Sequence, residues 1–158
     1  MDCTFCTENG VFNYRVGAII LDGTRVLMTK SEGCSYYYSV GGRVKFGETA
    51  EQAVVREVFE ETGVLTEIER LGFVHENFFT SDFGSNCGLR YHELSLFYYI
   101  KPFDYSLIRS CGVNDAGQNE TLGWIDMKDC GGVKFFPEFF RMELLAPSKN
   151  VRNIITIQ

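Results

Sequence analysis

No run of apolar residues in this chain approaches the ~20 needed to cross a bilayer as a helix. The opening Met-Asp-Cys-Thr also lacks the charged-then-apolar pattern of a secretory signal. Neither a membrane protein nor an exported one is expected, and a cytoplasmic location is. Excess positive charge is missing as well: 15 Lys and Arg stand against 21 Asp and Glu, a net charge of −6. That balance speaks against general nucleic-acid binding, which needs clustered cations. It suits a site that collects metal ions first and phosphates second. Histidine occurs only twice, and neither His75 nor His92 lies at ligand spacing from a cysteine. Cys3 and Cys6 make half a zinc-knuckle spacing, but Cys34, Cys87, Cys111 and Cys130 are scattered singly. Free thiols in a reducing compartment are expected rather than zinc or disulfides. Linkers, repeats and low-complexity tracts are absent too. With 45% hydrophobic and 23% charged residues, the chain reads as one globular domain over residues 1–158, burying roughly two thirds of its unfolded surface.

What the chain does have is concentrated between Gly42 and Val64. Thr49-Ala50-Glu51-Gln52 is a capping box, so a helix is expected to start with Thr49 as its N-cap. Gly63 is placed to end it in the left-handed conformation. Ala50, Val54 and Val58 recur every four residues and give the helix an apolar side. Glu57, Glu60 and Glu61 fall within an arc of roughly 100° on this helix. Glu57 and Glu61 are like charges four apart, and Glu60 and Glu61 sit at the negative end of the helix dipole. At about 4 Å and an effective dielectric near 20, each like-charged contact costs on the order of 4 kcal/mol before screening. A sequence that breaks its own helix rules twice in one turn does so at functional sites. A divalent cation turns this repulsion into coordination, and hard oxygen ligands are what Mg²⁺ or Mn²⁺ takes. A plain solvated face, with Arg56 and Glu60 as an ordinary i,i+4 pair, is the alternative for any one of these residues.

Along the rest of the chain, punctuation suggests a compact α/β unit. Tyr14 to Leu21 is β-rich, Asp22-Gly23 is a hairpin turn, and Arg25 to Lys30 follows as a strand. Tyr36 to Val40 reads as a short strand leading into Gly41-Gly42. Glu67 to Phe79 looks extended, with alternation along Ile68, Leu71 and Phe73. Thr80 to Leu89 reads as a long loop before the strand Tyr91 to Ile100. Thr121 to Ile125 is a further strand. Pro137 opens a second helix with Phe139, Phe140, Leu144 and Leu145 as its apolar stripe. Asn153 to Ile157 fits a closing strand or a frayed tail. Strands with two helices fit a sheet covered on both faces, but periodicity leaves the topology open.

The segment resembles the Nudix box, the signature of the Nudix hydrolases. The pattern runs from Gly42 through Glu48, Arg56-Glu57, Val58, Glu60-Glu61 and Gly63 to Val64, with every specified position filled. Seven fixed residues at roughly 6% usage each give on the order of one chance match per million chains of this size. The box covers 23 of 158 residues. The resemblance implies an α/β/α sandwich around a mixed β-sheet. It implies cleavage of a pyrophosphate linkage in a nucleoside diphosphate joined to another group, with Mg²⁺ or Mn²⁺. In that scheme the Gly42 carbonyl joins Glu57, Glu60 and Glu61 around the metals, and Glu48 pairs with Arg56 to fix the loop on the helix. Glu60 is expected to orient or deprotonate the attacking water. A non-hydrolysing sensor of a nucleotide metabolite is the alternative. A small-molecule partner is expected, and a homodimer stays open.

A further acidic ligand or base often lies outside the box in this family. Glu93, with His92 beside it, is the candidate, while His75 and Glu76 lie at the end of the preceding strand. For substrate contact, Tyr36, Tyr38 and Phe78 could stack a base, and Arg43 could meet phosphate. Strand alternation turns Tyr37 away from its two neighbours. Subfamily marks are missing: Phe79 stands where ADP-ribose enzymes have proline. Thr80, Ser81 and Asp82 stand where dinucleoside polyphosphate enzymes have tyrosine.

Overall fold

The computed structural model describes residues 1–81, 87–110, 112–113 and 117–158. Residues 82–86, half of the loop expected from Thr80 to Leu89 and including Asp82, lie outside the described residues, as does Cys111. The strands are β1 (Thr4–Thr7), β2 (Gly10–Ile19), β3 (Leu21–Asp22), β4 (Arg25–Ser31), β5 (Tyr37–Ser39) and β6 (Gly41–Arg43). Helix α1 (Ala50–Thr62) follows, then β7 (Ile68–Thr80), β8 (Arg90–Ile100), β9 (Glu120–Asp126), β10 (Phe135–Phe136), the one-turn α2 (Phe140–Glu143) and β11 (Arg152–Ile157).

One mixed sheet runs in the order β1-β2-β8-β7-β11, with β6 also on β2; the other runs β10-β5-β4-β3, with β9 on the far edge of β4. The segment that could have been a tail, Asn153 to Ile157, forms β11 and pairs parallel with β7. The glycine segment is itself a short strand, β6, antiparallel to β2.

Period-two alternation assigns apolar side chains to two separate cores. Ile19, Val26, Met28, Phe97 and Tyr99 pack with Phe140 and Leu144. Their neighbours Ala18, Ile20, Leu27, Tyr98 and Ile100 pack with Ala53, Val54 and Val58 of α1. Each face of the sheet region thus carries its own helix, which is the expected α/β/α sandwich.

Two sequence expectations change. The second helix shrinks to one turn: Phe140 and Leu144 are buried but Leu145 is 42% exposed, and Pro147 disfavours helical geometry at Ala146. The alternation along β7 is also interrupted. Its pairing with β8 shifts between Ile68 and Arg70 and between Leu71 and Phe73. Ile68 and Leu71 therefore face the α1 core while Phe73 joins the other one.

Candidate active site

The helix that carries the acidic cluster is fixed at both ends by local chemistry. Thr49 Oγ1 accepts the Gln52 amide at 3.1 Å and Gln52 Oε1 accepts the Thr49 amide at 2.9 Å. Gly63 closes the helix at φ 74°, its N–H donating to the Phe59 carbonyl. Between these caps, burial of Ala53, Val54 and Val58 turns Glu57, Glu60 and Glu61 towards a cleft of about 680 Å³. That volume is within the range of small-molecule sites.

Strand β6 brings the glycines against these carboxylates. A Cβ at Gly42 would lie 2.6 Å from the Glu57 carboxyl group, so any side chain there would push that carboxylate aside. Gly41 has φ +140° and a Cβ there would meet the Val16 carbonyl at 2.2 Å; only glycine adopts that backbone without strain. In this position the Gly41 N–H donates to Glu61 Oε1 at 2.6 Å.

Glu61 is 5% exposed. Its second oxygen, Oε2, is buried beside the equally buried Thr29 hydroxyl, which favours the ionised carboxylate but forms no well-aligned hydrogen bond with it. Burial pushes the Glu61 carboxyl up to about 8; the charges of Glu120 and Glu57 add to this and the Gly41 N–H opposes it. Glu57 is also raised by burial, with Arg56 pulling the other way. Glu60 is half exposed at the cleft wall.

Arg56 ties the glycine loop to the helix. Its Nη2 and Nε grip the Glu48 carboxylate at 2.6 and 3.1 Å, and Nη2 also donates to the Arg43 carbonyl at 3.0 Å. This fork holds the Glu48 carboxyl below the usual carboxylate range and strengthens the guanidinium's hold on its proton. Arg56 Nη1 reaches Glu57 at 2.6 Å and Glu60 at 3.1 Å, so the i,i+4 pair and the loop clamp exist together.

The sequence reading missed Glu120. Strand β9 pairs with β4, setting Glu120 opposite Ser31. Tyr38 donates to Glu120 Oε1 at 2.5 Å, and Ser31 and Tyr38 share a short hydrogen bond. Burial, then the bond to Glu120, raises the Tyr38 phenol above its usual range. Gly112 fits between this carboxylate and Glu61; a Cβ there would come within 2.7 Å of Glu120 Oε2 and displace it. Nothing local marks Glu120; only the pairing of distant strands does.

Other expected residues divide between two faces of the sheet. Tyr36, Tyr38, Arg43, His75 and Glu93 line the cleft. Glu93 is held by Asn13 at 2.7 Å and Ser95 at 3.3 Å. The carboxylates whose charge bears on Glu61 are Glu120 and Glu57, whereas Glu93 bears on His75. The His75 ring is buried, which lowers its pKa, and Nε2 meets the Thr156 hydroxyl at 2.9 Å. Phe78 and His92 lie outside the cleft, their rings 4.3 Å apart on the opposite face; Phe79 lines the cleft instead. Glu76 is exposed. Tyr37 packs against the α2-side core.

Among the described residues, no three His, Cys, Asp or Glu side chains already stand in metal-binding geometry. Arg56 Nη1 lies between Glu57 and Glu60. The donor set still fits a hard divalent cation. It offers several carboxylates on one cleft wall, one of them with a buried oxygen that no hydrogen-bond donor satisfies.

This arrangement of sheet, helix and acidic cleft has relatives. The NUDIX domain model matches residues 11–139, and the chain belongs to the Nudix family. "Putative nudix hydrolase 1" of Caenorhabditis elegans is 41% identical over 76 residues, covering 44% of this chain and 21% of that protein. The chain thus spans about a fifth of the length of that curated relative. The MutT protein of Bacillus halodurans superposes with a TM-score of 0.62 at 15% identity, covering 91% of this chain and 89% of that one. An ADP-ribose pyrophosphatase of Streptococcus suis gives 0.57 at 12% identity, covering 90% and 98%. At such identities the likeness is one of fold. No helix among the described residues is long and apolar enough to cross a membrane.

Proposed function

We propose that this chain is a Nudix pyrophosphohydrolase that uses Mg²⁺ or Mn²⁺. It splits the pyrophosphate linkage of a nucleoside diphosphate joined to another moiety, giving a nucleoside monophosphate and a phosphorylated remainder. The observation that carries this reading is the buried, unsatisfied Glu61 Oε2 among the other carboxylates of the cleft. Glu57, Glu60 and Glu61 with the Gly42 carbonyl would hold the ions, and Glu120 takes the extra-carboxylate role considered for Glu93. When bound, the cations neutralise phosphate oxygens and make water nucleophilic near neutral pH. Glu60, the most exposed of the three helix carboxylates, orients and deprotonates that water. Arg56 and Glu48 keep the glycine strand against the helix so that Gly42 and Glu57 stay in register. Arg43 and Lys45, also on the cleft, attract the phosphates.

The domain is proposed to extend over residues 1–158, because β1 and β11 belong to the same sheet as the matched core. The free thiols of Cys3, Cys6, Cys34, Cys87 and Cys130 support a cytoplasmic location. The test is a panel of nucleotide sugars, ADP-ribose, dinucleoside polyphosphates, NADH and nucleoside triphosphates with each metal, products identified by mass. Glu60→Gln is expected to cut turnover at least ~100-fold. Near-normal turnover in both Glu60→Gln and Glu61→Gln would remove the assignment. One observation favours a second reading, a sensor that binds without cleaving: Arg56 Nη1 engages both Glu57 and Glu60. Calorimetry showing tight ligand binding with Mg²⁺ and no product would favour it.

A further inference from the structure

Beyond the carboxylates the cleft continues over the paired strands β7 and β8, and the groups on that floor have no part in the chemistry assigned above. Asn77 and Glu93 stand directly opposite each other in this ladder, which sets their Cβ atoms about 5 Å apart. Both line the cleft. Asn13 and Ser95 donate to the two Glu93 oxygens at 2.7 and 3.3 Å. These bonds fix the carboxylate's orientation and leave it lone pairs for a ligand. Asn77 Oδ1 is buried and accepts no hydrogen bond, a costly state unless a ligand supplies the donor. The floor is therefore rich in acceptors.

Aromatic rings line the same cleft. Tyr36 and Phe136 meet edge to face at 5.2 Å, and Phe79 and Phe139 are among the others. Flat aromatic surfaces beside a row of acceptors suit a flat heterocycle whose edge carries N–H donors. Guanine carries two such donors side by side, N1–H and the 2-amino group. Adenine and cytosine place a ring acceptor next to their single amino group, and uracil flanks its N–H with two carbonyls. Each of those edges would set an acceptor against the Glu93 carboxylate, a mismatch that discriminates strongly in a closed site.

We propose that Asn77 and Glu93 form a base-reading subsite that selects guanine. Glu93 accepts N1–H and one hydrogen of the 2-amino group, and Asn77 Oδ1 accepts the other. The substrate is then a guanosine diphosphate derivative, a statement that rests on the pyrophosphohydrolase reading; the base contact itself does not.

The test compares kcat/KM for GDP-, ADP-, CDP- and UDP-linked forms of one sugar, together with the inosine counterpart that lacks the 2-amino group. Wild-type protein is expected to favour guanine over every other base, inosine included, by at least ~10-fold. Glu93→Gln keeps the side chain's shape. It is expected to raise KM for the guanine substrate ~10–100-fold with kcat little changed, and to erase the preference. Calorimetry with GMP and AMP, without metal, reads the contact independently of turnover. If GMP binds in preference to AMP through Glu93 while nothing is cleaved, the subsite stands and the hydrolase reading falls. If all four bases are cleaved alike, or if Glu93→Gln lowers kcat equally on every base, the guanine subsite falls and the hydrolase reading stands.

Discussion

Glu61→Gln is expected to make the metal-free protein more stable at pH 8, and to remove most of its stabilisation by magnesium. Burial raises the Glu61 carboxyl from an ordinary 4.5 to about 8 in the folded state. The native protein thus holds this proton more tightly than the unfolded chain. The resulting stability is fully present below pH 4.5 and is lost as pH rises towards 8. Each tenfold difference in proton affinity is worth about 1.4 kcal/mol. The ionised group therefore costs up to ~5 kcal/mol above pH 8 and ~4 kcal/mol at pH 7.5. Glutamine keeps an acceptor for the Gly41 N–H and carries no charge, so it escapes that cost. For a domain of this size ~4 kcal/mol corresponds to a Tm difference on the order of 10 °C. The assay is thermal or urea unfolding of both proteins at pH 5.5 and 8, with EDTA or with Mg²⁺. His75 acts in the opposite direction, since burial lowers its pKa and its contribution fades on acidification. Both proteins share it, so the difference between them isolates Glu61. Mg²⁺ should restore the wild type at pH 8 and leave the variant nearly unmoved. Parallel pH profiles for the two proteins in EDTA, or equal stabilisation of both by Mg²⁺, would refute the reasoning.

Gly42→Ala would place a methyl group 2.6 Å from the Glu57 carboxyl. Activity at limiting Mg²⁺ should drop at least ~10-fold, with a partial return at high Mg²⁺, checked by metal titration of the rate. Arg56→Ala leaves Glu48, Glu57 and Glu60 without their shared partner. It should destabilise by ~3 kcal/mol in urea melts, and Arg56→Lys should recover little because an ammonium cannot fork. Phe140→Ala empties a fully buried position on the α2 side and should cost ~3–5 kcal/mol by denaturant unfolding.

The helix of the site was readable because everything that makes it is local. Thr49 and Gln52 are three residues apart, Gly63 lies just past the end, and the valines recur at the helical period; no distant contact is needed to place Glu57, Glu60 and Glu61 together. The same holds for the alternation that separates Tyr37 from Tyr36 and Tyr38. Glu120 was not readable, because a lone glutamate on a strand looks like any solvent-facing one. It joins the site only through β9 lying on β4, which in turn carries β5 with Tyr38. Glu93, expected as an extra ligand or base, lines the cleft, but its partners Asn13 and Ser95 give it a different setting from that of a residue beside the helix carboxylates.

Phe78 and Phe79 show where the boundary falls. The sequence determines that one of two adjacent aromatics faces each side of the sheet, since consecutive side chains point to opposite faces. Which one enters the cleft depends on the parity of the whole strand, and that parity is reset by the irregular pairing between Leu71 and Phe73. Sequence alone determined the helix, its caps, its acidic face and the family. The tertiary structure decided which distant carboxylate, which ring and which floor residues complete the cleft, because strand pairing joins residues that no local periodicity connects.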